Sequence, residues 1–141
     1  MITAAVVDAS VAVKWVVNEH GSDRAQSLST ARLEAPDLLL IECANILWKK
    51  VRAHDLTRPD AASRLELLRQ APISLADSRS LLDAALVLSF DLSHPVYDCI
   101  YLALALAREV PLVTADVRLV AAARKMKRVA DYVAHLRELS G

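Results

Sequence analysis

The chain has 141 residues, of which 55% are hydrophobic and 24% are charged, and its 17 lysines and arginines balance its 17 aspartates and glutamates. This length and composition are typical of one compact globular domain, and only two glycines argue against a disordered or loop-rich protein. Because the net charge is zero, there is no overall positive field to attract a polyanion, and any nucleic-acid surface must be local. We therefore expect a single domain over residues 1–141.

The predicted elements begin with a strand over residues 4–8, a short β-branched apolar run typical of a strand buried on both faces. Ser10 is positioned to cap a helix over residues 11–17, and Ser22 to cap a second helix that runs to about Arg32. Pro36 and Asp37 then open the longest early helix, which is apolar in its first half and basic at its end near Ala53.

The second half of the chain continues the alternation of helices and strands. Thr57 opens a helix to about Gln70, with Pro59 suited to its first position, and a short strand follows over residues 73–75. Further helices are predicted over residues 77–90, 96–109 and 117–127, with strands over 111–114 and near 128–130 and a helical tail over 132–139. This alternation favours a parallel sheet flanked by helices.

Four carboxylates lie where the local sequence is otherwise apolar, and they are Asp8, Glu42, Asp98 and Asp116. Removing an ionised carboxylate from water is costly unless it is paired or bound to a metal, so a shared acidic site is the simplest explanation. Asp8 and Asp116 follow predicted strands, and the carboxyl ends of parallel strands are where ligands bind. Glu42 and Asp98 lie near the starts of helices that would pack beside the same edge.

Three of these acids also have a purely structural interpretation. Asp8 would simply end its strand, Asp116 would cap the helix that follows it, and Asp98 is suited to a first helical turn, where the helix dipole favours an anion. Glu42 is the least easily explained in this way, because its neighbours are apolar apart from Asn45, which shares its narrow polar face.

A set of carboxylates suits Mg²⁺ or Mn²⁺, which take oxygen ligands without requiring a contiguous motif. Zinc is disfavoured because the histidines are distant in sequence from one another and from the two cysteines. We interpret the four histidines as surface or packing residues, and they are His20, His54, His94 and His135. With no Gly-rich phosphate loop and no nucleophile elbow, the acids remain the strongest indication of function.

The ordered segments Val7-Asp8-Ala9-Ser10, Pro36-Asp37-Leu38 leading to Glu42 and Asn45, Tyr97-Asp98, and Leu112-Val113-Thr114-Ala115-Asp116 together resemble PIN-domain ribonucleases, most closely VapC-type toxins of toxin–antitoxin pairs. The resemblance implies a three-layer α/β/α sandwich with a short parallel sheet, in which the four acids gather around one or two divalent ions. It implies Mg²⁺- or Mn²⁺-dependent cleavage of single-stranded or loop RNA, a homodimer, and inhibition by a cognate antitoxin. Some relatives carry a further acid shortly after the last aspartate, where this chain has Val117, Arg118 and Leu119.

We hypothesise that Asp8, Asp98 and Asp116 ligate the main ion and that Glu42 acts through water or a second ion. The supporting polar residues are Ser10, Asn45 and Thr114. Candidate RNA-binding cations are Lys14, Lys49, Lys50 and Arg52, although the same residues would also suit an ordinary solvated helix face. A partner surface is expected around Trp15, Val16, Val17 and Leu28.

Two other functions fit the sequence less well. A phosphoacceptor receiver domain would use Asp8, but that class places a pair of acids at the first strand and a lysine after a late strand. A non-catalytic PIN-like binding module would not need all four acids.

The expected location is the cytoplasm, without membrane association. Cys43 and Cys99 lie in apolar helical patterns and are interpreted as small core residues in a reducing compartment. The longest apolar run, residues 99–107, is about half of what spans a bilayer, and the first residues lack a basic signal-peptide region.

Overall fold

Five parallel strands form one sheet in the computed structural model, which describes residues 1–139. The strands are β1 (Ala4–Val7), β2 (Arg32–Pro36), β3 (Ile73–Ala76), β4 (Leu112–Thr114) and β5 (Val133–His135). Their order across the sheet is β3-β2-β1-β4-β5, and every neighbouring pair is parallel. Receiver domains have the order 2-1-3-4-5, so the sheet argues against that alternative.

Within residues 1–139, eight α-helices connect these strands, together with short 3₁₀ turns over Val13–Trp15, Ser78–Leu81 and Leu136–Glu138. They are α1 (Ala9–Ala12), α2 (Ser22–Gln26), α3 (Leu38–Arg52), α4 (Arg58–Gln70), α5 (Leu82–Leu92), α6 (Val96–Arg108), α7 (Val117–Arg124) and α8 (Lys127–Ala130). No helix among residues 1–139 is long and apolar enough to cross a membrane.

Both faces of the sheet are covered, which gives the three layers of an α/β/α sandwich. Side chains of β1 alternate between the faces: Val6 belongs to the larger core, with buried residues of α3, α5 and α6, whereas Ala5 and Val7 belong to a smaller core with Val11 and Leu28. A strand buried on both faces explains the continuous apolar run at the start of the chain.

The sequence prediction is wrong in two stretches. The helix expected to reach Arg32 ends at Gln26, and residues 32–36 form β2, the strand next to β1. Leu33 and Ala35 are buried there and alternate with the charged residues Arg32 and Glu34, so the apolar alternation is too short to be recognised from the sequence.

The second wrong stretch is the end of the chain. Residues 127–130, where a last strand was expected, form α8, and β5 lies instead at Val133–His135 within the expected helical tail. The alignment of Leu112 with Val133 and of Thr114 with His135 fixes its register against β4. Pairing with β4 outweighs the weak local preference of this segment.

One residue of the predicted partner surface, Leu28, is buried and cannot contact a partner, whereas Trp15, Val16 and Val17 are partly exposed. Leu28 is only 1% exposed, and Trp15 packs against both cores and donates from its indole Nε1 to the carbonyl oxygen of Ala25 at 2.8 Å. These residues hold α1 and α2 against the sheet.

Candidate metal-binding site

The ends of β1 and β4 place two of the acids side by side. The strands are neighbours, with Val7 aligned to Val113, so Asp8 and Asp116 follow adjacent strands at the same edge of the sheet. Strand order reverses between β1 and β4, because β2 and β3 lie on one side of β1 and β5 lies beyond β4. Such a switch point opens a crevice at the carboxyl ends of the strands.

A cleft of about 550 Å³ occupies this crevice. All four sequence-predicted acids line it: Asp8 from the end of β1, Glu42 from α3, Asp98 from the first turn of α6, and Asp116 from the start of α7. Ser10, Asn45 and Lys49 line the same cleft. Helices α3 and α6 therefore bring in the two acids that the sheet edge does not supply.

Asp8 is the most buried of the acids, at 6% exposure, and its carboxylate is held from three directions. Oδ1 accepts hydrogen bonds from the hydroxyl of Ser10 at 2.6 Å and from the backbone N–H of Val11 at 3.3 Å, and Oδ2 accepts one from the hydroxyl of Thr114. Asp8 rather than Ser10 is therefore the cap of α1, which corrects the sequence prediction. Ser10 and Thr114 thus each donate a hydrogen bond to this carboxylate.

The pKa of Asp8 is raised from 3.8 to about 6, mainly by burial and also by the nearby charge of Asp98, although hydrogen bonds from Ser10 and Thr114 lower it. Without a cation, Asp8 therefore keeps its proton to a higher pH than a free aspartate does. A divalent ion would favour the ionised form, because it supplies the opposite charge that the buried carboxylate lacks.

Glu42 is half-buried and accepts a hydrogen bond from the hydroxyl of Tyr101 at 2.5 Å. Burial and the charge of Asp98 raise the pKa of Glu42, while the Tyr101 hydrogen bond opposes the shift. Tyr101 is fully buried on α6, so α6 orients the acid that α3 carries. Sequence reasoning did not assign Tyr101 this role, although a polar group in an apolar helix at three residues from Asp98 was a signal for it.

Asp98 and Asp116 lie close enough to His94 for one ion to contact all three. One ligand atom from each of these residues lies within 4.8 Å of the others, and Nε2 of His94 is 2.6 Å from Oδ2 of Asp98. Asp116 also caps α7, since its Oδ1 accepts from the N–H groups of Arg118 at 2.9 Å and Leu119 at 3.4 Å. The capping and metal-binding interpretations of Asp116 are thus compatible, because the cap uses one carboxylate oxygen.

The sequence-based interpretation of His94 as a surface or packing residue missed this arrangement. Its side chain is 11% exposed and faces the acids. The available signal was the spacing His94-Pro95-Val96-Tyr97-Asp98, which places a possible ligand four residues before a candidate acid.

The predicted RNA-binding cations differ in availability. Lys14 and Lys50 both pair with Glu19, at 3.2 Å and 2.7 Å, and Arg52 lies over the ring of Trp48 at 5.1 Å from its centroid. Lys49 is exposed and lines the cleft. Of the four, Lys49 is the cation best placed to meet a substrate at the acids.

This donor set fits a divalent cation. Carboxylate oxygens from four separate elements converge on one open cleft, two of the acids are stabilised in protonated form by burial, and the hydrogen-bond donors around Asp8 fix its orientation. Mg²⁺ and Mn²⁺ bind in such sites through one or more carboxylates and exchangeable waters.

Two comparisons, with family models and with solved structures, each give a match to this chain. A family model described as PIN domain matches residues 5–125, which is most of the chain. No curated protein matches it. Among solved structures, PAE2754 from Pyrobaculum aerophilum is similar, with a TM-score of 0.71 and 20% sequence identity over 96% of this chain and 85% of that chain. At this level of identity the likeness shows a shared fold.

Proposed function

The chain belongs to the PIN-domain family, and from that premise we propose that it is a Mg²⁺- or Mn²⁺-dependent endoribonuclease that hydrolyses single-stranded or loop RNA. PIN domains are generally metal-dependent nucleases. The observation that supports the same activity here is the convergence of Asp8, Glu42, Asp98 and Asp116 on one cleft.

The chemistry of phosphodiester hydrolysis suits this cleft. When bound, a divalent ion supplies Lewis acidity towards the phosphoryl oxygens and lowers the pKa of a bound water. Asp98 and Asp116 would hold that ion, with Asp8 completing its coordination. Glu42, whose carboxylate is oriented by Tyr101, would position a water or accept its proton.

The cleft is also lined by a positively charged side chain and by two exposed side chains with apolar surface. Lys49 would bind a phosphate next to the scissile bond. Tyr97 and Ile41 also line the cleft and are 64% and 70% exposed, so an unstacked base has an aromatic ring and an aliphatic surface to pack on. This arrangement favours unpaired RNA, whose bases are accessible for such contacts.

The direct test is cleavage of a fluorescently labelled single-stranded RNA by the purified protein. Cleavage in Mg²⁺ or Mn²⁺ that EDTA abolishes, and that Asp116→Asn abolishes, is the expected result. Asn retains the capping ability of Asp at the start of α7, so this variant should fold. The matched control is Asp83→Asn, an exposed acid in the first turn of α5, which should cleave as the wild type does. Cleavage in EDTA, or equal cleavage by Asp116→Asn, contradicts the proposal.

The toxin role is part of the same proposal and rests on the resemblance to VapC-type toxins. An apolar groove of about 480 Å³ between α3 and α4 supports a partner-binding surface. Trp48 and Leu65 line it, with Arg52 and Arg58 among its lining residues, which suits an antitoxin segment that is apolar on one face and acidic at its edges. Induced expression of the wild type should arrest bacterial growth, and expression of Asp116→Asn should not. Growth at the wild-type rate in both cases contradicts the toxin role.

We also propose a homodimer, as the resemblance implies. One face of α5 presents Leu82, Leu86 and Phe90 at intervals of four residues, and they are 45%, 47% and 75% exposed. Sedimentation should give a dimer for the wild type and a monomer for Phe90→Glu. The control is Ala84→Glu, at an exposed position of the same helix, which should disrupt the dimer less. A monomeric wild type contradicts this part of the proposal.

A further inference from the structure

The backbone holds His94 firmly at the junction of α5 and α6. Its N–H donates to the carbonyl oxygen of Ser89 at 3.2 Å, and its own carbonyl oxygen accepts from the hydroxyl of Ser89 at 2.5 Å. Ser93 turns the chain with a positive φ of 52°, and Pro95 caps α6. The imidazole is thereby held one helical turn from Asp98, in contact with its carboxylate and only 11% exposed.

We propose that His94 is a nitrogen ligand of the divalent ion in the cleft, together with Asp98 and Asp116, and that the site therefore prefers Mn²⁺ to Mg²⁺. This inference deepens the proposed function, since it concerns the metal that the same site takes. It rests on the proposed function only in requiring that a divalent ion binds there.

The separation of the three donors fits coordination to one ion. At metal–ligand distances of about 2.1 Å, adjacent donors in an octahedral site lie about 3 Å apart and opposite donors about 4.2 Å apart. Here one ligand atom from each of the three residues lies within 4.8 Å of the others, and Nε2 of His94 lies 2.6 Å from Oδ2 of Asp98. Small side-chain shifts would bring all three donors into the first coordination shell.

The hydrogen bonds that Asp8 accepts support the assignment of a metal ligand that is not a carboxylate. A carboxylate offers about four lone-pair positions, and three of those of Asp8 already accept hydrogen bonds, from Ser10, Val11 and Thr114. Asp8 is therefore the least available of the three predicted ligands. His94, in contrast, has one contact through Nε2, with Oδ2 of Asp98, and one of its ring nitrogens lies within 4.8 Å of a carboxylate oxygen of Asp116.

A nitrogen ligand changes the metal preference of the site. Imidazole binds first-row transition metals better than Mg²⁺, which prefers an all-oxygen shell that includes several waters. A neutral imidazole in place of a carboxylate also lowers the negative charge of the coordination shell. The electrostatic attraction for Mg²⁺ is then weaker, whereas Mn²⁺ still gains a covalent contribution from its bond to nitrogen. The alternative role for His94 is to orient Asp98 through a hydrogen bond without touching the ion.

Pulsed EPR of the Mn²⁺-loaded protein separates these roles, because a directly bound imidazole nitrogen gives a ¹⁴N coupling in the echo modulation. We expect this coupling in the wild type and in His20→Gln, the control at an exposed histidine, and we expect its loss in His94→Gln. Titration should also show a preference for Mn²⁺ over Mg²⁺ that falls about tenfold or more in His94→Gln.

Each outcome distinguishes this inference from the proposed function. Mn²⁺ bound without ¹⁴N coupling in the wild type, or with coupling that persists in His94→Gln, overturns the assignment of His94 even if RNA is cleaved. Coupling that disappears in His94→Gln supports the assignment even if no RNA is cleaved, in which case the ribonuclease proposal alone fails. The wild-type spectrum decides the matter if the variant does not fold, and a wild type that binds no Mn²⁺ overturns both.

Discussion

Thr114 donates its hydroxyl hydrogen to Asp8 across the β1–β4 pair, although the two residues are 106 positions apart in sequence. Thr114 is fully buried and Asp8 nearly so. The Thr114 oxygen also accepts a hydrogen bond from the N–H of Asp116 at 3.0 Å, so one hydroxyl contacts both Asp8 and Asp116 at the edge of the sheet. The geometry of the acidic site is therefore coupled to the pairing of two strands.

Replacing Thr114 with valine should destabilise the protein even though valine favours strands. The substitution keeps the shape of the side chain but leaves Oδ2 of Asp8 without its donor, at a cost of about 1–3 kcal/mol in the free energy of unfolding. Urea denaturation in EDTA at neutral pH measures this cost. Thr114→Ser, which keeps the hydroxyl, should lose less, and equal losses in both variants would rule out the hydrogen bond as the cause.

The stability of the metal-free protein should fall as Asp8 ionises. Burial, reinforced by the charge of Asp98, raises the pKa of Asp8 from 3.8 to about 6. An acid whose pKa is raised on folding stabilises the folded state fully below the unfolded pKa, and that stabilisation is lost as pH rises through the folded pKa. Two pKa units correspond to about 3 kcal/mol.

Asp8→Asn removes this titration while keeping the size of the side chain. In EDTA, the free energy of unfolding of Asp8→Asn relative to wild type should therefore increase between about pH 4 and pH 7. Urea denaturation across that range measures the difference. A difference that stays constant with pH would mean that Asp8 does not titrate in the folded protein as described.

Tyr101 and Glu42 should be energetically coupled through their hydrogen bond. Tyr101→Phe leaves the half-buried carboxylate without its donor, and a double-mutant cycle with Glu42→Gln should give a coupling of about 1–2 kcal/mol in the free energy of unfolding. Tyr97→Phe, on the same helix but 64% exposed, is the control and should show no coupling with Glu42→Gln. Zero coupling for the Tyr101 pair would contradict the role given to α6.

Lys49 should contribute to RNA binding and Lys50 much less. Lys49 lines the cleft, whereas Lys50 is paired with Glu19. In an Asp116→Asn background, where RNA should remain intact, Lys49→Ala should weaken binding and reduce the slope of log affinity against log salt by about 0.7 for one lost phosphate contact. Fluorescence anisotropy at several salt concentrations measures both. An equal effect of Lys50→Ala would show that the cleft does not select between the two lysines.

The sequence predicts the elements that carry strong local signals. The apolar run at residues 4–7 and the capped or proline-marked starts at Thr57 and Pro95 lie where the structure has β1, α4 and α6. The position of β2 depends on pairing with β1, because Leu33 and Ala35 alone give too little apolar pattern to distinguish a strand. The same holds for β5, whose register is fixed by β4.

The candidate site divides in the same way. The acids are recognisable because a carboxylate in an apolar stretch violates the local pattern, and their order along the chain matches that of a family. Which of them meet depends on the β1–β4 adjacency, which no local signal encodes. The roles of Tyr101 and His94 were not predicted, because they depend on contacts that a single sequence does not show. Tyr101 donates to Glu42 on another helix, and His94 contacts Asp98 one helical turn away.

The claim that the four acids form one divalent-metal site is tested most directly by the melting temperature in Mn²⁺ and in Mg²⁺. An ion that binds only the folded protein stabilises it by about 2.7 kcal/mol at a concentration of about 100 times Kd. The wild type and the control Asp83→Asn should therefore melt at a higher temperature with metal than in EDTA, whereas Asp98→Asn should gain little. An equal gain in Asp98→Asn, or no gain in the wild type with either ion, would contradict the shared site.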